Sequence, residues 1–143
     1  GYCPASIRIG LFYNEELVQI MSFKKTKKYF KIIRECSKSG YLVIGGKSKI
    51  LKYFERVYSP KTIISYCEKN KFTGNSYIKC GFKLKEESEP SYCYYKNGRK
   101  IHKNDYKKEK INFDENLSEW ENMSNNGYMR LFDYGNYVFI KEH

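Results

Sequence analysis

At 143 residues the chain suits one domain able to bury about 70% of its unfolded surface, so it needs no disulfide scaffold to fold. Lys and Arg number 27 against 16 Asp and Glu, a net charge of +11 that favours a polyanionic partner, although an AT-rich genome enriches Lys, Asn, Tyr and Ile whatever the function. No run approaches the roughly 18 apolar residues that span a bilayer and the start GYCPAS is not a signal peptide, so a soluble, cytoplasmic chain without a membrane partner is expected.

Residues Ser6 to Tyr13 alternate Ile7, Ile9 and Leu11 with Arg8, Gly10 and Phe12, the period of two of a half-buried strand. Asn14-Glu15-Glu16 turns the chain, and Leu17 to Phe23 returns as the hairpin partner. A basic cluster, Lys24, Lys25, Lys27 and Lys28, follows: either a solvated loop or a phosphate contact. Tyr29 to Cys36 reads as a third strand. After a turn at Ser39-Gly40, the paired glycines of VIGGKSKIL stand just ahead of an amphipathic helix from Lys47 to Tyr58, with Ile50, Leu51, Phe54, Val57 and Tyr58 on one face and Pro60 as its stop. Such an arrangement leaves backbone N–H groups free to receive a phosphate or pyrophosphate.

Lys61 to Tyr66 is nearly all apolar or β-branched, as a central strand covered on both faces should be. A short helix, Gly74 to Cys80, comes next. Phe82 to Lys85 and Tyr92 to Lys96 read as a hairpin around Glu86, Glu87 and Glu89; those carboxylates lie in a polar loop with no histidine nearby, so a solvated loop is the better reading than a metal cluster. From Asn97 the composition shifts. NGRKIHKNDYKKEK carries Arg99, Lys100, Lys103, Lys107, Lys108 and Lys110 among His102 and Tyr106, which suits either a nucleic-acid backbone or an exposed linker. Ser118 to Glu121 forms a capping box at a helix start, and Tyr128 to Phe132 with Tyr137 to Lys141 reads as a hairpin closed by Asp133-Tyr134-Gly135-Asn136. The five cysteines, odd in number and without a Cys-x-x-Cys pair, read as reduced core residues, and with two histidines in the chain no metal site is expected.

The glycine loop, the run TIISYCEKNKFTGNSYIKCGFKL and the order of elements together resemble the cofactor half of the GNAT N-acetyltransferase fold. That resemblance implies an α/β (α+β) fold, a mixed central sheet flanked by helices, with Tyr29–Cys36 and Lys61–Tyr66 parallel and diverging, and a C-terminal helix plus hairpin extension. It implies a domain over residues 1–97 and a basic extension over 98–143 packed on it. In the family a Gln/Arg-x-x-Gly-x-Gly/Ala loop grips the coenzyme A pyrophosphate; Gly45 falls on the first glycine, but Leu42 stands at the Gln/Arg position and Lys47 at the last small one. Asn70, Tyr77, Gly81 and Phe82 meet a second family signature. The resemblance therefore implies acetyl-CoA held by Ile44, Gly45, Gly46, Lys47, Ser48 and Asn70, with Tyr77 as general acid; Glu68, directly after the diverging strand, is a candidate base, although a surface ion pair with a lysine is the better reading of it.

Over nearly its whole length the sequence is also similar to the C-terminal region of phage Hef-like homing endonucleases, through GYCPASIRIGLFYNEELVQIMSF, VIGGKSKILKYF, IISYCEKNKFTGNSYIKCGF and LSEWENMSNNGYMRLFDYGNYVF. In that family a nuclease domain comes first and carries the cutting carboxylates, so this chain would be the accessory part of a phage protein in the host cytoplasm. It would hold DNA through Lys24, Lys25, Lys27, Lys28, Arg99, Lys100, Lys103, Lys107 and Lys108. The alternative is an active acetyl-CoA-dependent acyltransferase acting on a protein or nucleobase amine. A nuclease within the chain ranks last, because the expected strands carry almost no carboxylates.

Overall fold

The alternation at the start of the chain does build an edge hairpin: β1 (Ile7–Tyr13) pairs antiparallel with β2 (Glu16–Lys25), with Ile7, Ile9 and Leu11 turned toward the core. The computed structural model describes residues 5–143. β2 pairs antiparallel with β3 (Phe30–Ser37), and helix α1 (Gly46–Tyr58) then carries the chain across to β4 (Thr62–Glu68), which runs parallel to β3. Parallel neighbours require such a crossover. After α2 (Asn75–Lys79), β5 (Lys83–Glu87) forms the far edge of a six-stranded mixed sheet of order β1-β2-β3-β4-β9-β5, whose β9 (Asn136–Glu142) is the last element of the chain.

The two C-terminal hairpins expected from sequence are not formed. Phe82–Lys85 does not pair with Tyr92–Lys96, nor Tyr128–Phe132 with Tyr137–Lys141. β9 instead lies between β4 and β5, antiparallel to both. The physical reason is burial: Val138 and Phe139 are adjacent in sequence and both buried, so opposite faces of this strand need cover, which a surface hairpin would not provide. At the junction Ser88 donates its backbone N–H to the Asn136 carbonyl and accepts from the Asn136 N–H through its hydroxyl, both at 2.8 Å. That clamp fixes where the chain leaves the sheet and where it returns.

What leaves is a second compact unit, Glu89–Gly135, while the first comprises the residues up to Ser88 together with Asn136–His143. The division expected after residue 97 thus falls nine residues earlier, and the final strand belongs to the first unit. In the second unit β6 (Tyr92–Lys96) is flanked by β7 (Arg99–His102) and β8 (Met129–Phe132). α3 (Glu119–Asn125) begins at the Ser118/Glu121 capping box, as its sequence implies. Fully buried Tyr94 stacks parallel to Trp120 and bonds through its hydroxyl to Glu119 at 2.5 Å. Buried Asn122 donates to the carbonyls of Asp114, Leu117 and Ser118 and accepts from the Asp114 N–H, tying down the loop ahead of α3.

In the first unit α1 supplies Ile50, Leu51 and Phe54 to the sheet, with Phe54 stacked face to face on Phe23 at a centroid distance of 3.9 Å. Phe139, Tyr77 and Phe82 continue the core under α2. The free cysteines Cys36, Cys67, Cys80 and Cys93 are not uniformly core residues: Cys67 is buried but Cys36 is exposed on β3. Cys3 lies outside the described residues.

Candidate functional site

β3 and β4 are bonded to each other at two pairs only, Phe30 with Ile63 and Lys31 with Ile64. Beyond these, β3 stays in register with β2 and β4 stays in register with β9 over all seven of its residues, so the sheet parts between them. The gap opens at the carboxyl ends of two parallel strands, the usual place for a ligand in such a sheet. It is a cleft of about 770 Å³ walled by β3, β4, the loop after β4 and the start of α2, with Glu35, Lys47, Ser65, Glu68, Asn75 and Tyr77 among its lining.

A polar chain occupies its interior. Lys47, from the first turn of α1, directs its ammonium inward: Nζ lies 2.9 Å from a Glu35 carboxylate oxygen, donates to Ser76 Oγ at 2.7 Å, and sits 4.0 Å above the ring of Tyr77. The other Glu35 oxygen accepts from Gln19 Nε2 at 2.9 Å. Gln19 is itself buried, and its Oε1 has no donor. Tyr77 is buried, and burial is the main reason its phenol is pushed above the usual range; the bond between its hydroxyl and Ser65 and the nearby Lys47 charge oppose that shift. Burial likewise raises the Cys67 and Cys80 thiols, so neither is poised as a thiolate.

At the amino end of α1, Gly45 caps the helix with φ of 72°, no side chain caps the first turn, and that turn holds no acidic residue. A Cβ at Gly45 would meet nothing within 4 Å, so the backbone is open to an incoming group. Gly46 differs: a Cβ there would run into Gln19 and Val43, and its small size serves helix-to-sheet packing. The amides of Lys47 and Ser48 thus present an uncapped, positively polarised terminus, which suits a diphosphate. The divided strands beyond Lys31 and Ile64 turn toward the cleft backbone groups that a closed pair would have joined, which suits an amide-bearing arm. These features fit coenzyme A; the inward Lys47 side chain stands in the path such an arm would take.

The other residues named from sequence fall as follows. Ile44 is 84% exposed in the loop before α1, and Ser48 is half-buried at the helix start. Asn70 is exposed in the turn after β4 and does not line the cleft, whereas Asn75 does. Glu68 is at the cleft wall but exposed and paired with Lys71 at 2.7 Å, the surface role open to it from sequence. Glu35, Gln19, Ser65 and Ser76 were missed. Glu35 carried a signal, being the single carboxylate of β3, one of the two strands that border the gap.

Lys24 and Lys25 end β2 and Lys27 and Lys28 occupy the following turn, all exposed in the first unit. Arg99 and Lys100 on β7 and Lys107 beyond it are exposed in the second unit. Lys103 there lies over the Tyr92 ring at 5.2 Å, and Lys108 pairs with Glu115 at 3.5 Å. Among the described residues no three His, Cys, Asp or Glu side chains converge as a metal site, and no helix is long and apolar enough to cross a membrane.

No protein-family model and no curated protein matches the sequence. Among solved structures, the chain is similar to a Bacillus subtilis acetyltransferase crystallised in complex with CoA: TM-score 0.54 and 18% identity, covering 92% of this chain and 73% of that one. At that identity the likeness shows the fold, which is GNAT-like.

Proposed function

We propose that the domain binds an acyl-CoA in the β3–β4 cleft and transfers the acyl group to an amine. The observation that carries this reading is the parting of β3 and β4 after two pairs, which opens a cleft onto Glu35 and Tyr77 beside the uncapped start of α1. The likeness in fold to an acetyltransferase crystallised in complex with CoA supports it. When bound, the thioester supplies an activated acyl carbon and a good leaving group. The amides of Lys47 and Ser48 hold the diphosphate, and the open edges of β3 and β4 hold the arm. Tyr77, kept neutral by burial, has a proton to give to the departing sulfur. Glu35, reached through the cleft, accepts the proton of the attacking amine once Lys47 has moved from it. Titration calorimetry with acetyl-CoA and with CoA tests the reading. Binding that Gly45→Trp abolishes, while the fold survives, supports it; no binding of either ligand overturns it.

A second reading has its own support. In it the same fold is the DNA-holding accessory part of a phage endonuclease of the Hef-like kind, with cutting left to another domain. What favours it is the +11 charge and the set of exposed lysines at the β2–β3 turn, none of which has a carboxylate partner among the described residues.

A further inference from the structure

At the opposite ends of the same two strands lies a second concavity, of about 460 Å³, formed where β3 and β4 begin. Four lysines line it: Lys25, Lys27 and Lys28 from the β2–β3 turn and Lys61 from the link between α1 and β4. No Asp or Glu does. Other lysines of this unit find carboxylates, Lys38 with Glu16, Lys47 with Glu35, Lys69 with Glu87, Lys71 with Glu68 and Lys141 with Glu55, but none of the four does among the described residues. Four ammonium groups gathered without a counter-charge repel one another, and an anion with several charges relieves that repulsion.

The walls are held in place. Thr26 closes the β2–β3 turn: its backbone N–H donates to the Tyr29 carbonyl at 2.9 Å, its hydroxyl donates to the same carbonyl at 2.7 Å and accepts from the Tyr29 N–H at 3.0 Å. Lys27 and Lys28 are thereby fixed at the rim. On the other side Ser59, with φ of 42°, and Pro60 set the direction of Lys61. Tyr58, 41% exposed and stacked on Phe54, and half-buried Tyr29 also line the concavity, placing aromatic rings beside the charges.

We infer that this concavity is a binding site for the phosphates of a nucleic-acid strand, with the strand's bases reaching the Tyr29 and Tyr58 rings. The inference rests on the second reading above and makes it specific: it adds Lys61, a residue distant in sequence from the 24–28 cluster, and excludes Lys24, which does not line the site. Backbone phosphates match four separated ammonium groups, and aromatic faces beside a basic groove are the means by which single strands are held without regard to sequence. The site is separate from the cleft between the diverging strand ends, so acyl-CoA and nucleic acid need not compete.

The test uses the whole chain and a fluorescein-labelled single-stranded DNA oligonucleotide, followed by anisotropy as a function of salt. The variant K25Q/K27Q/K28Q/K61Q removes the four charges. A control variant, K49Q/K52Q/K79Q/K83Q, removes the same number from exposed lysines of the same unit outside the concavity. Circular dichroism and melting establish that both variants fold. For single strands each phosphate contact contributes about −0.7 to the slope of log affinity on log salt, so the first variant is expected to lose roughly three units of slope and the control little. Equal losses in the two variants mean diffuse attraction and overturn the site. So does wild-type chain that fails to bind the oligonucleotide at low salt, or that binds heparin with the same dependence on the four lysines but not DNA. Calorimetry with acetyl-CoA on the K25Q/K27Q/K28Q/K61Q variant keeps the two readings apart, since its binding is expected to be unchanged.

Discussion

Gly74 offers a quantitative test of how the cleft is built. It caps the start of α2 with φ of 77°, and a Cβ added there would collide with ring atoms of Phe139. Phe139 cannot yield easily, because it is 2% exposed on β9 and its ring stacks on Tyr77 at 5.5 Å. Gly74→Ala therefore incurs two penalties: about 1–2 kcal/mol for an L side chain in the left-handed region, and about 1–3 kcal/mol for overpacking a core position. Together they approach 2–5 kcal/mol, a large part of the 5–15 kcal/mol typical of a whole domain. Gly45 provides the reference. It has a nearly equal φ of 72° and nothing within 4 Å of a Cβ, so Gly45→Ala carries the first penalty alone. Urea unfolding followed by far-ultraviolet circular dichroism, with hydrogen exchange on the β9 amides, separates the two variants. Tryptophan fluorescence does not serve, because Trp120, the chain's single tryptophan, belongs to the other compact unit. Equal destabilisation by the two substitutions would refute the reasoning, since it would mean that the ring of Phe139 makes no rigid wall under α2.

Tyr77→Phe is expected to lower acyl transfer by roughly 10²–10⁴-fold, the contribution of a general acid, with acetyl-CoA affinity unchanged and stability reduced by about 1 kcal/mol through loss of the bond to Ser65; steady-state kinetics with calorimetry reads this, and unaltered turnover removes Tyr77 from the chemistry. Lys47→Ala is expected to tighten acetyl-CoA binding, because it clears the ammonium that lies over Tyr77 and against Glu35; weaker binding in calorimetry would instead make Lys47 a contact to the diphosphate. Alkaline pH should loosen the second unit. Burial, with Glu119 beside it, pushes the Tyr94 phenol well above its ordinary value, so the folded state holds this proton more tightly than the unfolded chain. Stability from Tyr94 is therefore complete below about pH 10, the unfolded value, and is lost as pH rises beyond it. Near-ultraviolet dichroism of Trp120 should fall over that interval, and Tyr94→Phe should shift the fall to higher pH; a transition unaltered by the substitution would show that another group governs it.

Much of the fold could be read from local signals because the physics there is local. The period of two in β1, the uniform apolar run of β4 and the amphipathic face of α1 each reflect burial of the element that carries them. Strand pairing near the carboxyl end obeyed no such signal. Asp133-Tyr134-Gly135-Asn136 has the composition of a hairpin turn, yet Asp133 accepts from the N–H groups of Ser91 and Gly135, both at 2.8 Å, and the chain passes on to a strand whose residues pair with β4 residues 68 (Glu68 with Asn136) to 80 (Thr62 with Glu142) positions earlier. A turn motif reports that the chain bends; which strand it then joins depends on exposed edges elsewhere. β9 took the edge of β4 that faces away from β3, the parallel partner that itself leaves β4 after two pairs.

The same departure explains why the candidate site was half legible. Gly45 and Lys47 could be named from a glycine pair ahead of a helix, and Tyr77 from its match to a family signature, because each of these signals is contained in a short segment. Glu35 and Gln19 were not, since their importance arises where β2, β3 and α1 meet: Gln19 bonds Glu35 across the strands, Glu35 pairs with Lys47 from the helix, and Lys47 covers Tyr77 from beyond the next strand. That chain of contacts also gives Lys47 its meaning. In a loop it would be one more basic residue of a chain rich in them, but with its charge met by Glu35 and its amine bonded to Ser76 it links β3 to α2 across the cleft. Removing a partner from such a pair leaves the other charge poorly solvated in a cleft. On the proposed acyl transfer, the side chain that links the cleft walls is the one an acyl-CoA arm would displace, and ligand binding would be coupled to the release of Glu35, the proposed proton acceptor.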